Sequence, residues 1–371
     1  MKNSFKIRRG VLKFLMWLII ICVILFLVFL GLRISGKNRL YSKSENKKPD
    51  LDVVSAEWAT EPIEEGESTA KVPLIQIDED NDNWEEGDVR YKGVHYRYND
   101  EMLTFLFLGI DKKGTVAEAK DAIDGGQSDA IFLAALNPKT MEATLIGVNR
   151  DTMTDIEIYA ADGNYVGTTN AQLTLQHGYG DGKELSCERS VAAVSKLFYN
   201  LPIHGYCAIN LGAIPLINDA VGGVDVVALE DIKSGNKLIF KEGQKVHLKG
   251  EQAVTYLRNR DCESFGSAGR RTERQKQYLQ AYADTAKRAV KKDVTLLVTL
   301  YNTIKKYMVT DVTIDEVSYF STQIADYKFD KEHVYSVPGE TKMGEKFEEF
   351  YVDEQGLYEL ILKVYYEVIE D

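Results

Sequence analysis

The segment Leu103–Ile110 reads LTFLFLGI, and the segment Ala130–Leu136 reads AIFLAAL. Both are short apolar runs rich in branched and aromatic residues, as buried β-strands are. The turn sequence NPKT at 137–140 leads into a third run, Ala143–Asn149, which reads ATLIGVN. The second and third runs are therefore predicted to form a hairpin, and with the first run they decide the core of the fold.

Polar residues stand where these predicted strands begin or end. If the first and second runs also pair antiparallel, the end of strand one, the start of strand two and the end of strand three share one edge of the sheet. The residues at these positions are Asp111, Asp129 and the triplet Asn149-Arg150-Asp151. The pattern thus predicts that three carboxylates and an arginine converge on one rim.

The rest of the C-terminal region alternates helical and strand-like patterns. Glu188–Asn200 and Leu211–Val221 have helical spacing, and each precedes a strand-like run, Gly205–Ile209 and Val224–Ala228 respectively. Further helices are predicted over Gly250–Leu257, from about Thr272 onward and over Glu354–Ile369, and helix-then-strand elements over Asp311–Gln323 and Val334–Gly339. We therefore expect one mixed α/β domain over residues 101–371, long enough to bury a full core.

An apolar segment near the N-terminus predicts a membrane anchor. Residues 14–31 carry no charge and Leu32 extends the run, so 14–32 can cross a hydrocarbon core of about 30 Å as a helix. A cleaved signal is the alternative, but this run exceeds the usual apolar region and no small-residue cleavage site follows it. Residues 1–13 are then a cytoplasmic tail. Lysines and arginines flank both ends, so the positive-inside rule does not decide the orientation, which must rest on function.

Residues 33–100 are interpreted as an extracytoplasmic linker. Between Asp50 and Asp88 there are 14 acidic residues against the single base Lys71, with few large apolar residues. Such a composition is typical of a solvated, disordered segment. The stretch from Asp50 to Asp88 is therefore the main source of the formal net charge of −12.

Arginines cluster around one predicted loop in the second half of the domain. Arg258 and Arg260 can share a target only if their helix ends there, whereas Arg271, Arg274 and Gln275 share one face at the start of the next helix. Guanidinium groups match phosphate oxygens bidentately, and a helix N-terminus favours anions. The cluster predicts a phosphate site, although salt bridging to acids is the alternative, above all for Arg274.

Asp111 and Asp129 suit a magnesium ion, with manganese as an alternative, because Mg²⁺ typically takes one or two carboxylates together with water and substrate phosphates. Aspartates that merely form turns are the competing interpretation. The sequence lacks HExxH, GxSxG and GxxxxGK[ST] motifs, which argues against a zinc hydrolase, a serine hydrolase and a P-loop kinase. Cys187, Cys207 and Cys262 show no metal-binding spacing, and a pair between the first two is only one option.

Several motifs together resemble the LytR-CpsA-Psr family of cell-envelope proteins. In chain order they are LFLGID (106–111), SDA (128–130), NPKT (137–140), NRDT (149–152), TNA (169–171), AVGGVDV (220–226), HLKGEQAVTYLRNR (247–260) and RTERQ (271–275). Their order and approximate spacing match the family across essentially the whole C-terminal domain. The agreement of many motifs is far more specific than any one of them.

The resemblance implies an α/β/α domain with a central mixed sheet that transfers an anionic glycopolymer, teichoic-acid-like or capsular, from undecaprenyl pyrophosphate to peptidoglycan in a Gram-positive envelope. It implies a phosphotransferase at the cell membrane, with a single span, an extracytoplasmic C-terminal domain and no nucleic-acid partner. By the same resemblance, Asp111 and Asp129 would hold Mg²⁺. Asp151 would orient Arg150 or handle the acceptor's proton. The residues expected to contact the pyrophosphate are Arg150, Arg258, Arg260, Arg271 and Gln275.

Three positions depart from the family pattern. Gln127 and Thr168 stand where the family commonly has an arginine and a lysine, and Asn149 stands where it has a proline. The two lost cations favour a rival interpretation, a non-catalytic polyprenyl-lipid-binding regulator of envelope assembly. The retained acids and arginines favour catalysis.

Overall fold

The computed structural model describes residues 26–52, 57–62, 71–77, 83–121, 123–160, 162–260, 264–293, 295–321, 323 and 326–370. The predicted cytoplasmic tail and most of the predicted anchor lie outside these residues. Within them, no helix has the length and apolar character needed to cross a membrane.

The helices and strands are numbered in chain order. The α-helices are α1 (described over 26–42), α2 (Glu184–Leu197), α3 (Ile214–Ala220), α4 (Glu251–Arg258), α5 (Ser267–Lys292), α6 (Leu296–Ile304), α7 (Ile314–Ser321) and α8 (Glu354–Tyr365). The strands are β1 (Thr60–Pro62), β2 (Lys71–Pro73), β3 (Ile75–Gln76), β4 (Val89–Tyr91), β5 (Val94–Tyr98), β6 (Leu103–Ile110), β7 (Ser128–Asn137), β8 (Glu142–Val148), β9 (Met153–Tyr159), β10 (Tyr165–Gln172), β11 (Gly205–Asn210), β12 (Val224–Val227), β13 (Ile232–Ser234), β14 (Lys237–Phe240), β15 (Lys245–Leu248), β16 (Met308–Thr310), β17 (Val334–Ser336), β18 (Gly339–Met343), β19 (Glu348–Val352) and β20 (Tyr366–Ile369).

A six-stranded mixed sheet forms the centre, with strand order β16-β11-β6-β7-β8-β17. The three strands that the sequence predicts are its middle: β6 pairs antiparallel with β7, and β7 pairs antiparallel with β8. β11 and β17 join on either side as parallel neighbours of β6 and β8. The predicted hairpin and the predicted mixed α/β class are confirmed.

Helices cover both faces of this sheet, which gives three layers. Leu106, Leu108 and Ile110 of β6 enter the main hydrophobic core together with residues of α2 and α8. Leu103 and Phe105 point to the other face, where they pack with Leu40 and Tyr319. This alternation follows from the two-residue period of a strand, and because both faces are covered, β6 reads as a continuous apolar run.

Several described parts of the predicted linker 33–100 belong to the folded domain. Leu40 and Leu51 are fully buried, and β4 and β5 form a four-stranded sheet with β3 and the C-terminal strand β20. The structure here differs from the expectation of a disordered linker. The acidic composition gave no sign of the few apolar residues, such as Leu51 and Leu74, that pack into the main hydrophobic core.

The predicted C-terminal helix is also shorter than expected. α8 ends at Tyr365, and Tyr366–Ile369 continues as β20, paired antiparallel with β5. The pairing partner lies far away in sequence, so local helical spacing did not reveal the strand. Cys187 and Cys207 are both free thiols, so the optional pair between them does not form.

Candidate functional site

The rim predicted at one edge of the central sheet has the expected backbone geometry. Ile110 at the end of β6 lies opposite Ser128 at the start of β7, and Ile131 lies opposite Val148 at the end of β8. The Asp111 amide donates to the Gln127 carbonyl over 3.1 Å, which holds the two strand ends together. The residues that follow β6 and β8 therefore lie next to the residues at the start of β7.

Arg150 is the central cation of this rim. Its guanidinium contacts both Asp129, through a short ion pair with Oδ1, and Asp151, with Nε 3.2 Å from Oδ1. Its Nη2 also donates to Oε1 of Gln127 over 2.8 Å. Only 12% of the side chain is exposed, so three partners fix the position of this charge.

Arg271 reaches the same carboxylate from the first turns of α5. Its Nη1 lies 3.4 Å from Oδ2 of Asp129, and its Nη2 donates to the Asp129 carbonyl over 3.1 Å. The residue is 3% exposed, and its buried Nε has no hydrogen-bond partner among the described residues. Burial lowers the pKa of Arg271 to about 10, which still leaves it charged at neutral pH. A buried guanidinium with a spare donor is suited to an anionic ligand.

A glycine and an acid hold the start of α5 at the rim. Gly266 precedes the helix with φ +73°, a left-handed conformation that favours glycine. Its amide donates to Oε1 of Glu348 in β19 over 2.7 Å. The backbone carbonyl of Glu348 in turn accepts from Gln172, which also donates to Asp151 over 3.1 Å. Sequence analysis did not single out Glu348 or Gln172 as site residues, and for Glu348 no local signal existed.

The arginines that flank α4 have different surroundings. α4 ends at Arg258, and Asn259 is extended, so the chain turns where the predicted sharing requires it. Arg260 then lies with its Nη1 3.9 Å from Oδ2 of Asp151. Arg258 is exposed and makes no hydrogen bond or ion pair with the other residues that the structure describes. The structure thus brings Arg260, but not Arg258, to the carboxylates of the rim.

Arg274 and Gln275 are buried on the same side of α5 as Arg271, as the helical spacing predicts, but they have other partners. Arg274 ion-pairs with Glu230 over 3.4 Å and donates to the Asn259 carbonyl. Gln275 donates to the Leu257 carbonyl over 3.3 Å. Both side chains brace the end of α4, so they act on the position of Arg260 rather than on the rim carboxylates.

Asp151 is the most enclosed acid of the site, at 3% exposed. Burial raises its pKa above the usual range of an aspartate, while the positive charges of Arg150, Arg260 and Arg271 oppose that rise. A carboxylate with a raised pKa is a stronger base than an exposed one. Asp151 can therefore orient Arg150 and also accept a proton.

The two proposed metal ligands lie at this rim, and their oxygen donors fit the preference of Mg²⁺. Oδ1 of Asp111 accepts from the Gln127 amide over 2.9 Å, and its other oxygen has no hydrogen bond from the described residues. Both oxygens of Asp129 contact arginines. Among the described residues, no group of three or more histidine, cysteine or acidic side chains gathers into a metal site. Two carboxylates together with substrate oxygens remain a chemically suitable set.

A small cavity of about 300 Å³ opens beside the rim, between α5 and the end of β8. Asn149, Thr272 and Glu273 line it, together with Phe350. A larger cavity of about 650 Å³ lies away from the rim, between α5 and the β12–β15 pair, and its lining includes Asp225, His247 and Asp284. The lining of the smaller cavity includes Asn149 and Thr272, which directly neighbour Arg150 and Arg271 in the chain.

The chain resembles known envelope transferases in sequence. A protein named polyisoprenyl-teichoic acid–peptidoglycan teichoic acid transferase TagU from Bacillus cereus is 32% identical over 217 residues, which cover 58% of this chain and 62% of that protein. TagU of Bacillus anthracis is 31% identical over 241 residues, covering 65% and 70% respectively. The chain thus spans somewhat less than two thirds of the first relative's length.

Solved structures show the same fold. A Streptococcus agalactiae protein superposes with a TM-score of 0.58 at 18% identity, covering 71% of this chain and 86% of that one. Bacillus subtilis TagV gives a TM-score of 0.54 at 22% identity, covering 71% and 95%. The model of the LytR_cpsA_psr family matches residues 69–363. Because this match covers most of the chain, the protein belongs to the LytR_cpsA_psr family.

Proposed function

We propose that this protein transfers an anionic glycopolymer from an undecaprenyl-pyrophosphate carrier to peptidoglycan at the outer face of the membrane. One observation carries the proposal: three guanidinium groups, from Arg150, Arg260 and Arg271, gather on the carboxylates of Asp129 and Asp151. These three positive charges lie close enough together to contact one ligand. The spare donor of Arg271 supports a ligand with several anionic oxygens.

The charges of the rim also support a pyrophosphate with a divalent ion. The three arginines face three acids, Asp111, Asp129 and Asp151, so the rim alone has little net charge for an anionic ligand. We assign Mg²⁺ or Mn²⁺ to Asp111 and Asp129. Bound there, such an ion would neutralise phosphate charge as it builds up during transfer. The arginines would bind the remaining phosphate oxygens and hold the phosphorus in position.

The reaction is a phosphoryl transfer to a hydroxyl. The acceptor oxygen of peptidoglycan forms a bond to the phosphorus that carries the glycopolymer, and the bond from that phosphorus to the bridging oxygen breaks. Undecaprenyl phosphate leaves with the bonding electrons, and the hydroxyl proton passes to Asp151. The buried environment of Asp151, which raises its pKa, suits it to this role.

An apolar surface on the central strand suits the prenyl chain. Phe107 lies in the middle of β6, yet 41% of it is exposed, an unusual state for a central strand. It points to the face on which α5 packs, and the same strand ends at Asp111 on the rim. A prenyl chain could thus contact Phe107 while its pyrophosphate meets the arginines.

The named activity of the relatives supports the class of substrate. They are named for a polyisoprenyl-linked teichoic acid donor and a peptidoglycan acceptor. We propose the same classes here, a teichoic-acid-like or capsular donor included, with the chain anchored by residues 14–32 and its domain outside the cytoplasm.

The second candidate is a lipid-binding regulator without turnover, which the neutral Gln127 and Thr168 favour. Gln127 nevertheless accepts a hydrogen bond from Arg150. The glutamine therefore lacks the positive charge of the family's arginine, but it helps to orient the guanidinium of Arg150. Thr168 lies on the exposed strand β10 and bonds to the Tyr165 hydroxyl over 2.8 Å. The Gln127 contact favours the enzyme.

The test combines binding and transfer with the full chain in lipid nanodiscs. Native mass spectrometry measures bound polyprenyl pyrophosphate, and a labelled glycopolymer donor with peptidoglycan fragments measures transfer. We expect both in the wild type and the loss of both in the double variant Arg150→Ala, Arg260→Ala. Bound lipid without transfer would establish the regulator instead, and the absence of bound lipid would overturn both candidates.

A further inference from the structure

The second half of α1 is docked tightly onto α7. A Cβ atom built on Gly36 would lie 2.0 Å from the Asp315 carbonyl oxygen, so only glycine permits this approach. Ser35 donates to Oδ2 of Asp315 over 3.0 Å, and Lys43 ion-pairs with Glu316 over 2.9 Å. Leu40 is fully buried between these contacts. The helix and the domain therefore move as one body at this junction.

The first half of α1 exposes its large apolar side chains, each of them to 38–63%. Those inside the proposed anchor are Phe26, Leu27, Val28, Phe29, Leu30 and Leu32, and Ile34 follows just after it. A helix that is apolar all round and unpacked is suited to a lipid environment. These residues complete the proposed anchor, which ends at Leu32.

Helix geometry then fixes how far α7 is from the end of the anchor. Gly36 is four residues beyond Leu32, which is about 6 Å along a helix rising 1.5 Å per residue. Because Gly36 contacts the backbone of Asp315, the first turn of α7 lies at the depth where lipid headgroups begin. That turn exposes Ile314, at 75%, and Val317, at 54%, three residues apart on one helix face.

We propose that the first turn of α7 is a second membrane contact, in which Ile314 and Val317 enter the headgroup region of the bilayer that holds the anchor. The closeness of this turn to the end of the proposed anchor, through the contact of Gly36 with Asp315, identifies a phospholipid surface as the occupant. Lys37, the residue after Gly36, is exposed and favours anionic headgroups. The carboxylate of Asp315 accepts a hydrogen bond from Ser35 and pairs with Arg39, so its negative charge does not repel these headgroups. The inference rests on the proposed anchoring, but not on the transfer reaction.

The consequence is a domain of fixed orientation instead of one on a flexible tether. A single helix leaves a domain free to tilt, whereas a helix and a second contact together hold it against the membrane. The rim would then stand at a constant height and angle above the lipid that carries the substrate.

The test is depth-dependent quenching of tryptophan fluorescence by brominated phospholipids, using the full chain in nanodiscs that contain anionic lipid. The variant Ile314→Trp is made on a Trp17→Phe background, because Trp17 lies in the proposed anchor. The signal of Trp58 and Trp84 is measured in the Trp17→Phe chain and subtracted. Val317→Trp is a second probe of the same face. The matched control is Val166→Trp, an equally exposed residue (65%) on the hairpin that leaves the opposite, rim edge of the sheet.

We expect both α7 probes to be quenched several times more than the control, and most strongly by bromines close to the headgroup. Probes at Ile314 and Val317 that are quenched no more than Val166→Trp would overturn the inference while leaving the anchor intact. The difference in quenching between the wild-type chain and Trp17→Phe reports on the anchor itself, and a Trp17 signal that is not quenched would overturn both the anchor and the second contact. Because the replaced side chains are exposed, unchanged thermal midpoints should confirm that the variants fold.

Discussion

Replacement of Arg271 tests the anion site most directly. Its guanidinium makes two contacts with Asp129, and its buried Nε has no hydrogen-bond partner among the described residues. A charge-assisted contact contributes about 1.5–3 kcal/mol. If the contact to phosphate is made mainly in the transition state, its loss lowers kcat/KM roughly 10- to 150-fold. Arg271→Ala should show this loss, and Arg271→Lys should lose roughly 10-fold, because an ammonium keeps the charge but not the paired donors.

The same change affects stability, so the two effects must be separated. Asp129 is 19% exposed and retains Arg150 as a partner. We therefore expect Arg271→Ala to destabilise the fold by about 1–3 kcal/mol, less than the roughly 3–5 kcal/mol for breaking a fully buried pair. Urea unfolding measures this cost, and transfer is assayed at a temperature where every variant remains folded.

The neighbouring Arg270 supplies the matched control. Its side chain is 43% exposed and pairs with Glu230 over 3.1 Å, away from the rim. Arg270→Ala should retain kcat/KM within about twofold, as expected of a surface pair. A wild-type rate of transfer in Arg271→Ala, or an equal loss of activity in Arg270→Ala, would exclude a specific role of Arg271 in binding phosphate.

Three further predictions follow from the buried acids and histidine. The rate of transfer should fall at acid pH, with a midpoint above the pKa of about 3.9 for a free aspartate, because burial raises the pKa of Asp151 and a base must be deprotonated. The same fall in rate at acid pH in Asp151→Asn would contradict this. Asp111→Asn should raise the Mg²⁺ concentration needed for half-maximal transfer and weaken Mg²⁺ binding measured by calorimetry, and equal binding in variant and wild type would remove Asp111 from the metal site. Burial beside Lys43 and Lys47 lowers the pKa of His204 to about 4 from 6.5, so the unfolded chain binds the proton first as pH falls. The stability that the neutral imidazole contributes is thus complete above pH 6.5 and is lost toward pH 4, by up to about 3 kcal/mol. We expect the free energy of unfolding in urea to fall less between pH 6.5 and pH 4 in His204→Gln than in the wild type.

The central strands and their rim could be predicted because they depend on local pattern. β6, β7 and β8 are apolar runs with a turn between the last two, and strand ends carry their polar residues to a known edge. The placement of Asp111, Asp129, Arg150 and Asp151 together follows from that register alone. The family resemblance was confirmed for the same reason, since its motifs are the local sequences at these strand and helix ends.

Long-range partners could not be predicted in this way. The helical spacing predicted that Arg271, Arg274 and Gln275 share one face of α5. Their different partners follow from the packing of α5 against both the sheet and α4: Arg271 contacts Asp129, whereas the other two contact the end of α4. Arg258 and Arg260 looked alike in sequence, yet one extended residue between them left the first exposed and brought the second close to Asp151.

The fold class, the family and the acids of the rim could be inferred from the amino-acid sequence, because strand periodicity and motif order are properties of neighbouring residues. That the region after the proposed anchor belongs to the domain is visible only in the folded chain. Leu40 packs with Tyr319, the Leu51 carbonyl accepts a hydrogen bond from the Tyr358 hydroxyl, and Gly36 is adjacent to Asp315. Composition averages over a segment, whereas burial depends on which distant surface a single side chain meets.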